Sequence, residues 1–407
     1  MASPKALREL RYLSGTTRNT TYTAADDAAW APGTATKLRP MDFDDSGLVM
    51  GSEADTTHQQ RFYSRPANIA TTRGGSFSFS TYFGAAESDA TANPVATLLS
   101  KIMGGIELPT TRSYTLDSSG VHTTTRLYAT GINSDAVIGQ GVLVNGEARS
   151  ITATASNYVD LNMALSAAPS DDDVATLATT VYLDEDATQE YLDFLAIGHA
   201  TADQRQMLAC QCTGLEVQGL GVGELPKLSY TMSVNDWQWV PSGDRDQMEP
   251  TSASQGNDPP VNRGLGGLFF GDYGVTTRAA VKGTIGGVSN LIAYQDVPDH
   301  TGANGIGGWQ KMPMGDGIQA SFSLLFDEDM GGLHDDFVNQ TAKQFIFQMG
   351  STAQKCAAIE LQRCYLAAAP VSTEVNGLQG VEISVTGDEG STTTSDLTRA
   401  ALRVHYF

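Results

Sequence analysis

The chain has 407 residues, 41% of them hydrophobic, with 42 glycines and a formal net charge of −21. That length exceeds what one hydrophobic core usually serves, so two or three folded units are expected. An excess of 46 acidic over 25 basic side chains argues against a protein that wraps tightly around phosphates. It suits a surface that repels polyanions, a soluble protein held at high concentration, or a chain adapted to a salty medium.

Residues 1–45 show little periodicity and read as an extended N-terminal arm with one anchor, Trp30, either reaching a neighbouring subunit or frayed. The opening residues lack the apolar core of a signal peptide, and no run approaches membrane-spanning length, so no membrane association is expected. Strands are expected from near Arg61. The run 76–83 alternates, with Phe77, Phe79 and Phe83 on one face and Ser76, Ser78 and Ser80 on the other. A helix follows. Asn93 is placed as its N-cap, Pro94 as its first residue and Gly104 just past its end. Val95, Leu98, Leu99 and Ile102 then form one apolar stripe for docking on a sheet.

From 112 to 189 the character changes. Asn145-Gly146 predicts a hairpin turn, and short strand patterns surround it, including 151–153, 158–161 and 180–183. This stretch reads as a small β-module inserted into a first unit made of 46–111 and 190–240. The stretch 241–262, rich in Pro, Ser, Gly and Asp, reads as a linker, and 263–407 as a second unit.

The two units resemble each other. The run 192–234 is echoed by 344–386: Gly198 and Gly350 are each followed by a cysteine, Cys212 and Cys364, at the same spacing. Each copy then reaches a Val-polar-Gly-Leu turn and a closing strand, and the loop between cysteine and turn is longer in the second. An alternating strand at 318–326 matches that at 76–83, a helix is expected over 333–342 with Leu333, Phe337 and Val338 as its apolar side, and alternating Leu402, Val404 and Tyr406 predict a final strand. The pattern reads as a tandem duplication of a β-rich unit. Two unrelated strand–turn–strand units of similar composition are the alternative.

No catalytic, cofactor-binding or metal site emerges. The carboxylate groups at 171–173, 184–186 and 327–329 lack the ligand order of a helix–loop–helix calcium site. The glycine runs at 264–268 and 283–287 lack a phosphate-loop ending. The six histidines are scattered, no serine or cysteine motif marks a nucleophile, and the four cysteines read as buried reduced thiols.

Ala209-Cys210-Gln211-Cys212-Thr213-Gly214-Leu215, followed by Gly223-Glu224-Leu225-Pro226-Lys227-Leu228, is similar to a run found in phage tail tube proteins. The stretch 370–387 is also similar to theirs, and 139–146 resembles modules that decorate such tubes. The fold this resemblance implies is mainly β: two tandem tail-tube-like sandwich or barrel domains, each with one helix, plus the inserted module. It implies a structural virion protein without catalytic residues or cofactors, assembled in the host cytoplasm and resident in the tail. Its partners would be further copies, in stacked rings of three chains, together with tape-measure, tail-tip and tail-terminator proteins. Double-stranded DNA would pass through without specific binding. Ser76, Ser78, Ser80, Ser229, Thr231 and Ser233 are candidates for lining the lumen, and Val95, Leu98, Leu99 and Ile102 for packing the helix outside. The competing reading is a monomeric β-rich carbohydrate-binding or capsid-decorating module. It calls for exposed aromatic clusters, and the sequence offers one close pair, Trp237 and Trp239.

Overall fold

The computed structural model describes residues 7–15, 22–23, 27–31, 34–54, 68–84, 93–184, 187, 190–198, 203–220, 223–245, 267–277, 280–289, 294–299, 308–313, 318–325, 330–375, 377–389 and 396–407. Most of the expected linker, the 327–329 carboxylates, the glycines at 264–266 and His58, His199 and His300 lie outside these residues. The protein is mainly β and its strand pairings are antiparallel, with one large sheet and a separate six-stranded sheet.

The large sheet contains one arrangement of strands twice. In the first half the lateral order is Thr36–Leu38, Leu7–Gly15, Tyr191–Gly198, Gln204–Gln218, Lys227–Val234, Asn68–Tyr82, then Met41–Asp44 and Leu48–Ala54. In the second it is Ala280–Val281, Leu268–Asp272, Lys343–Met349, Ala357–Leu366, Leu378–Asp388, Gln319–Leu325, then Gly283–Ser289. A further strand closes each half, Asp236–Trp239 against Gln204–Gln218 and Arg403–Tyr406 against Ala357–Leu366. Even the irregularity recurs. Leu192 faces Cys210 but Phe194 faces Met207, while Lys343 faces Cys364 and Phe345 faces Leu361. A bulge at the same place in both copies fixes the alignment of the halves, because a slip of one residue would turn every side chain to the wrong face.

That register corrects two expectations. Cys364 stands where Cys210 stands, not Cys212, because the hairpin loop before it is longer in the second half. The stretch 1–45 is no free arm either: its described residues supply the first strands of the first half, matching Leu268–Asp272 and Ala280–Val281 in the second. Strands therefore begin at Leu7, well before Arg61. Leu10 and Tyr12 point into the core, and Trp30, 1% exposed, packs with Ala35, Leu195, Ile197 and Val240 on the other face.

The helix Pro94–Met103 forms as its sequence predicts. The Asn93 side chain accepts from the Ala96 amide at 2.6 Å, and Gly104 turns the chain with a φ of 97°. Val95, Leu98, Leu99 and Ile102 are all buried in the main core beside Phe77, Phe79 and Phe83. That core runs without a break from Leu10 to Tyr406, so the halves share it. In the second half the helix is Met330–Asn339, ending before 342. Leu333 and Phe337 pack on the core, but Val338 is 64% exposed and leaves the expected apolar side.

Residues 113–177 form the six-stranded sheet, with their own core of Leu127, Ile132, Val142, Val159, Leu161 and Leu177 among others. Asn145 and Gly146 make the predicted turn, with φ of 51° and 79°, joining Gly141–Val144 to Glu147–Ala155. The strand Thr179–Leu183, expected within this module, belongs to the large sheet instead. It pairs with Gly104–Glu107 on one edge and with Arg403–Tyr406 on the other.

Candidate functional site: a hydroxyl-lined sheet face with open edges

The six hydroxyl candidates come together in register. Ser76 faces Ser233, Ser78 faces Thr231 and Ser80 faces Ser229 across two neighbouring strands. All point away from the core, which takes the alternate residues Phe77, Phe79, Leu228, Tyr230 and Met232. Exposure varies along this ladder. Ser76 and Thr231 are exposed, Ser78, Ser229 and Ser233 are half-buried, and Ser80, between Met41 and Ser229, is buried. The second half carries the same ladder, with Gln319 opposite Thr386, Ser321 opposite Ser384 and Ser323 opposite Glu382.

One backbone junction joins the ladders. Val217, near the end of its long strand, pairs with Val288 of the second half, and both side chains are buried. Their neighbours Glu216 and Ser289 therefore fall on the opposite, polar face, which continues across the junction. Among the described residues the far ends of this sheet are unpaired. Leu48–Ala54 pairs only with Asn68–Tyr82, and Val371–Val375 only with Leu378–Asp388. Val49 and Val371 on these edge strands are 56% and 60% exposed.

By register, Val371–Val375 does in the second half what the end of Gln204–Gln218 does in the first: Val371 faces Glu382 as Glu216 faces Ser229. The longer loop after Cys364 is thus a replacement strand, which spacing alone did not reveal. Likewise Gly283–Ser289 corresponds to the edge formed by Met41–Asp44 and Leu48–Ala54. The Val217–Val288 contact is therefore one copy of a junction whose two complementary surfaces recur, unused, at the outer edges.

The densest polar cluster lies elsewhere, between the inserted module and the second half. Glu360, 1% exposed, accepts from Arg403 Nη1 at 3.2 Å and His405 Nε2 at 3.0 Å on one oxygen, and from Ser150 Oγ and Asn162 Nδ2 on the other. The Gly141 amide donates to Thr180 Oγ1 at 3.1 Å, and the same hydroxyl lies 2.9 Å from His405 Nδ1. Because a carboxylate can only accept, His405 Nε2 carries a proton towards Glu360. A serine, a histidine and a glutamate meet here, but the serine touches the carboxylate and not the imidazole. The order of a nucleophile and its base is absent, and every member is nearly sealed from solvent.

Nothing else described resembles a reaction centre. No group of three metal-ligating side chains occurs among the described residues. Asp173 is spent on Asn145 and the Ser170 amide. All four cysteines are buried and unpaired, and burial pushes the Cys212 thiol up to about 12. Trp237 donates to the Val49 carbonyl at 3.0 Å, and Arg205 lies over the Trp239 ring at 4.8 Å while Trp239 stays 51% exposed. No helix of the described residues is long and apolar enough to cross a membrane. No protein-family model matches the chain, and no curated protein is significantly similar to it.

Proposed function

We propose that this chain is a tail tube protein of a long-tailed phage, polymerising into stacked rings that conduct DNA to the host. The reading is supported first by the Val217–Val288 junction, a working example within one chain of edge-to-edge sheet joining. Repeating it between chains would set Val371–Val375 of one copy against the Met41–Ala54 edge of the next. This is a heterologous contact, which closes into a ring when the rotation per copy allows. With two repeats per chain, three chains would give a ring of six similar sheets. Closure would also hide edges that otherwise invite aggregation.

The hydroxyl ladders face away from the core on each repeat and would line one continuous surface of such a ring. With the chain at −21, that surface would let a polyanion slide past without being gripped. Tape-measure, tail-tip and terminator proteins would be its other partners. Negative-stain electron microscopy with light scattering on purified protein tests the reading. Hollow tubes or threefold rings are expected. A chain that stays monomeric at high concentration, and also when offered preformed tail tips, would overturn it in favour of a monomeric binding module.

A further inference from the structure

The inserted module leaves one repeat and lands on the other. Its root strands, Gly104–Glu107 and Thr179–Leu183, follow from the first half, yet Thr179–Leu183 is stitched to Arg403–Tyr406, which pairs in turn with Ala357–Leu366 of the second. Arg112, at the module's entry, spans the same seam, donating to Thr179 Oγ1 at 2.7 Å and to the Tyr406 carbonyl at 3.2 Å. Beyond the root, Leu143, Ala148 and Met163 of the module pack on Phe269, Ile346 and Phe407 of the second repeat. The Gln348 side chain grips the module's backbone at both ends, accepting from the Ala148 amide at 2.8 Å and donating to the Gly146 carbonyl at 2.7 Å.

Glu360 sits inside this contact, and two of its donors, Ser150 and Asn162, come from the module. The fit is close. A Cβ on Gly141 would lie 2.7 Å from the His405 ring. In the first repeat the same sheet face is covered differently, by Trp30 and Ala35 on Leu195 and Ile197, with Gln206 holding the Thr23 backbone. The second repeat has no such segment among its described residues, and the module takes that place.

We propose that residues 113–177 are an internal clamp, keyed by Glu360, that locks the second repeat in a fixed orientation to the first. The module is then an element of the chain's rigid body and not a decoration free to swing on its root. The inference rests on contacts within one chain and stands apart from whether the chain builds a tube.

The test uses the 407-residue chain with two variants, Glu360→Gln and the milder Gly141→Ala, which keeps the proposal falsifiable if the first fails to fold. Hydrogen exchange followed by mass spectrometry reads docking. Pulsed electron paramagnetic resonance between spin labels at Ser242→Cys and Val338→Cys, in labelled chains diluted with unlabelled protein, reads the spacing of the repeats, since both sites are exposed, neither lies on an open edge strand and the native thiols are buried. In the parent the distance distribution is expected to be narrow. In the variants it broadens, and exchange in 141–150 and 403–407 rises about tenfold or more while the module core around Val159 stays protected. A broad distribution in the parent, or one that stays narrow in both variants, would overturn the clamp. So would loss of protection spread evenly through the module core, because docking would then be inseparable from folding.

Discussion

Gln206 and Glu360 occupy the same place in the two repeats: Gln206 faces Leu195 across its hairpin and Glu360 faces Ile346, one residue beyond the shared bulge in each case. Both are buried on the sheet face turned from the main core. One is neutral and holds a backbone segment; the other is charged and gathers four side-chain donors. A carboxylate in that position is sustainable only with its partners in place, since a buried charge stripped of its pair costs about 3–5 kcal/mol.

Acid should therefore act on the second repeat through Glu360. Burial alone would raise its pKa, but the Arg403 charge and the hydrogen bonds from His405 and Ser150 outweigh it and bring it down from 4.5 to about 2. The folded value lies below the unfolded one, so this group's stabilisation is complete above 4.5 and is lost as the pH falls towards about 2. Urea midpoints measured across that interval should fall more steeply for the parent than for Glu360→Gln, which has no proton to gain. Parallel pH profiles would contradict the assignment.

The helix Pro94–Met103 offers a separate check on local signals. Removing the cap with Asn93→Ala should cost about 1 kcal/mol, because the Ala96 amide loses its 2.6 Å acceptor. Leu98→Ala, at a fully buried site between helix and sheet, should cost about 2–5 kcal/mol through lost burial and the cavity left behind. Denaturant unfolding of both variants would measure the costs, and the order matters more than either value.

That helix was legible because every signal for it is local: a cap, a proline, a stripe and a closing glycine. The hydroxyl faces were legible for a similar reason, since a period of two is written in the strand itself. The N-terminal strands were not. Their apolar positions, Leu10, Tyr12 and Leu38, are few, and they become strands only by pairing with Tyr191–Gly198, far along the chain. The Glu360 cluster was equally hidden, since Ser150, Asn162, Glu360 and His405 are brought together by the large-sheet stitch and not by spacing. A misaligned cysteine shows the same limit. Equal spacing from Gly198 and Gly350 suggested Cys212 for Cys364, but the hairpin loops differ in length and the bulge selects Cys210.

The thiols should be silent in the native protein. Cys210 is pushed well up by burial with Asp193 adding to it, and Cys212, Cys356 and Cys364 are raised by burial as well. A thiolate is the reactive form, so a colorimetric disulfide reagent at mildly alkaline pH should find no fast thiol in the folded chain and all four after unfolding in urea. One rapidly reacting cysteine in the native state would show that a core strand opens readily.

The two open edges give the sharpest test of assembly. Val49 and Val371 are exposed, so Val49→Lys and Val371→Lys should each change the stability of the single chain by no more than about 0.5 kcal/mol. A lysine on an edge strand opposes pairing with another sheet, so each variant alone should fail to polymerise while remaining folded by circular dichroism. Each also keeps one intact edge, and the intact edges are complementary. Mixed together, the variants should form a dimer that grows no further, visible by light scattering at twice the single-chain mass. Val338→Lys, on the exposed side of the second helix and on neither edge strand, should leave assembly untouched. If both edge variants still build tubes, the sheet edges do not join the copies, and the internal Val217–Val288 junction is no guide to the contact between chains.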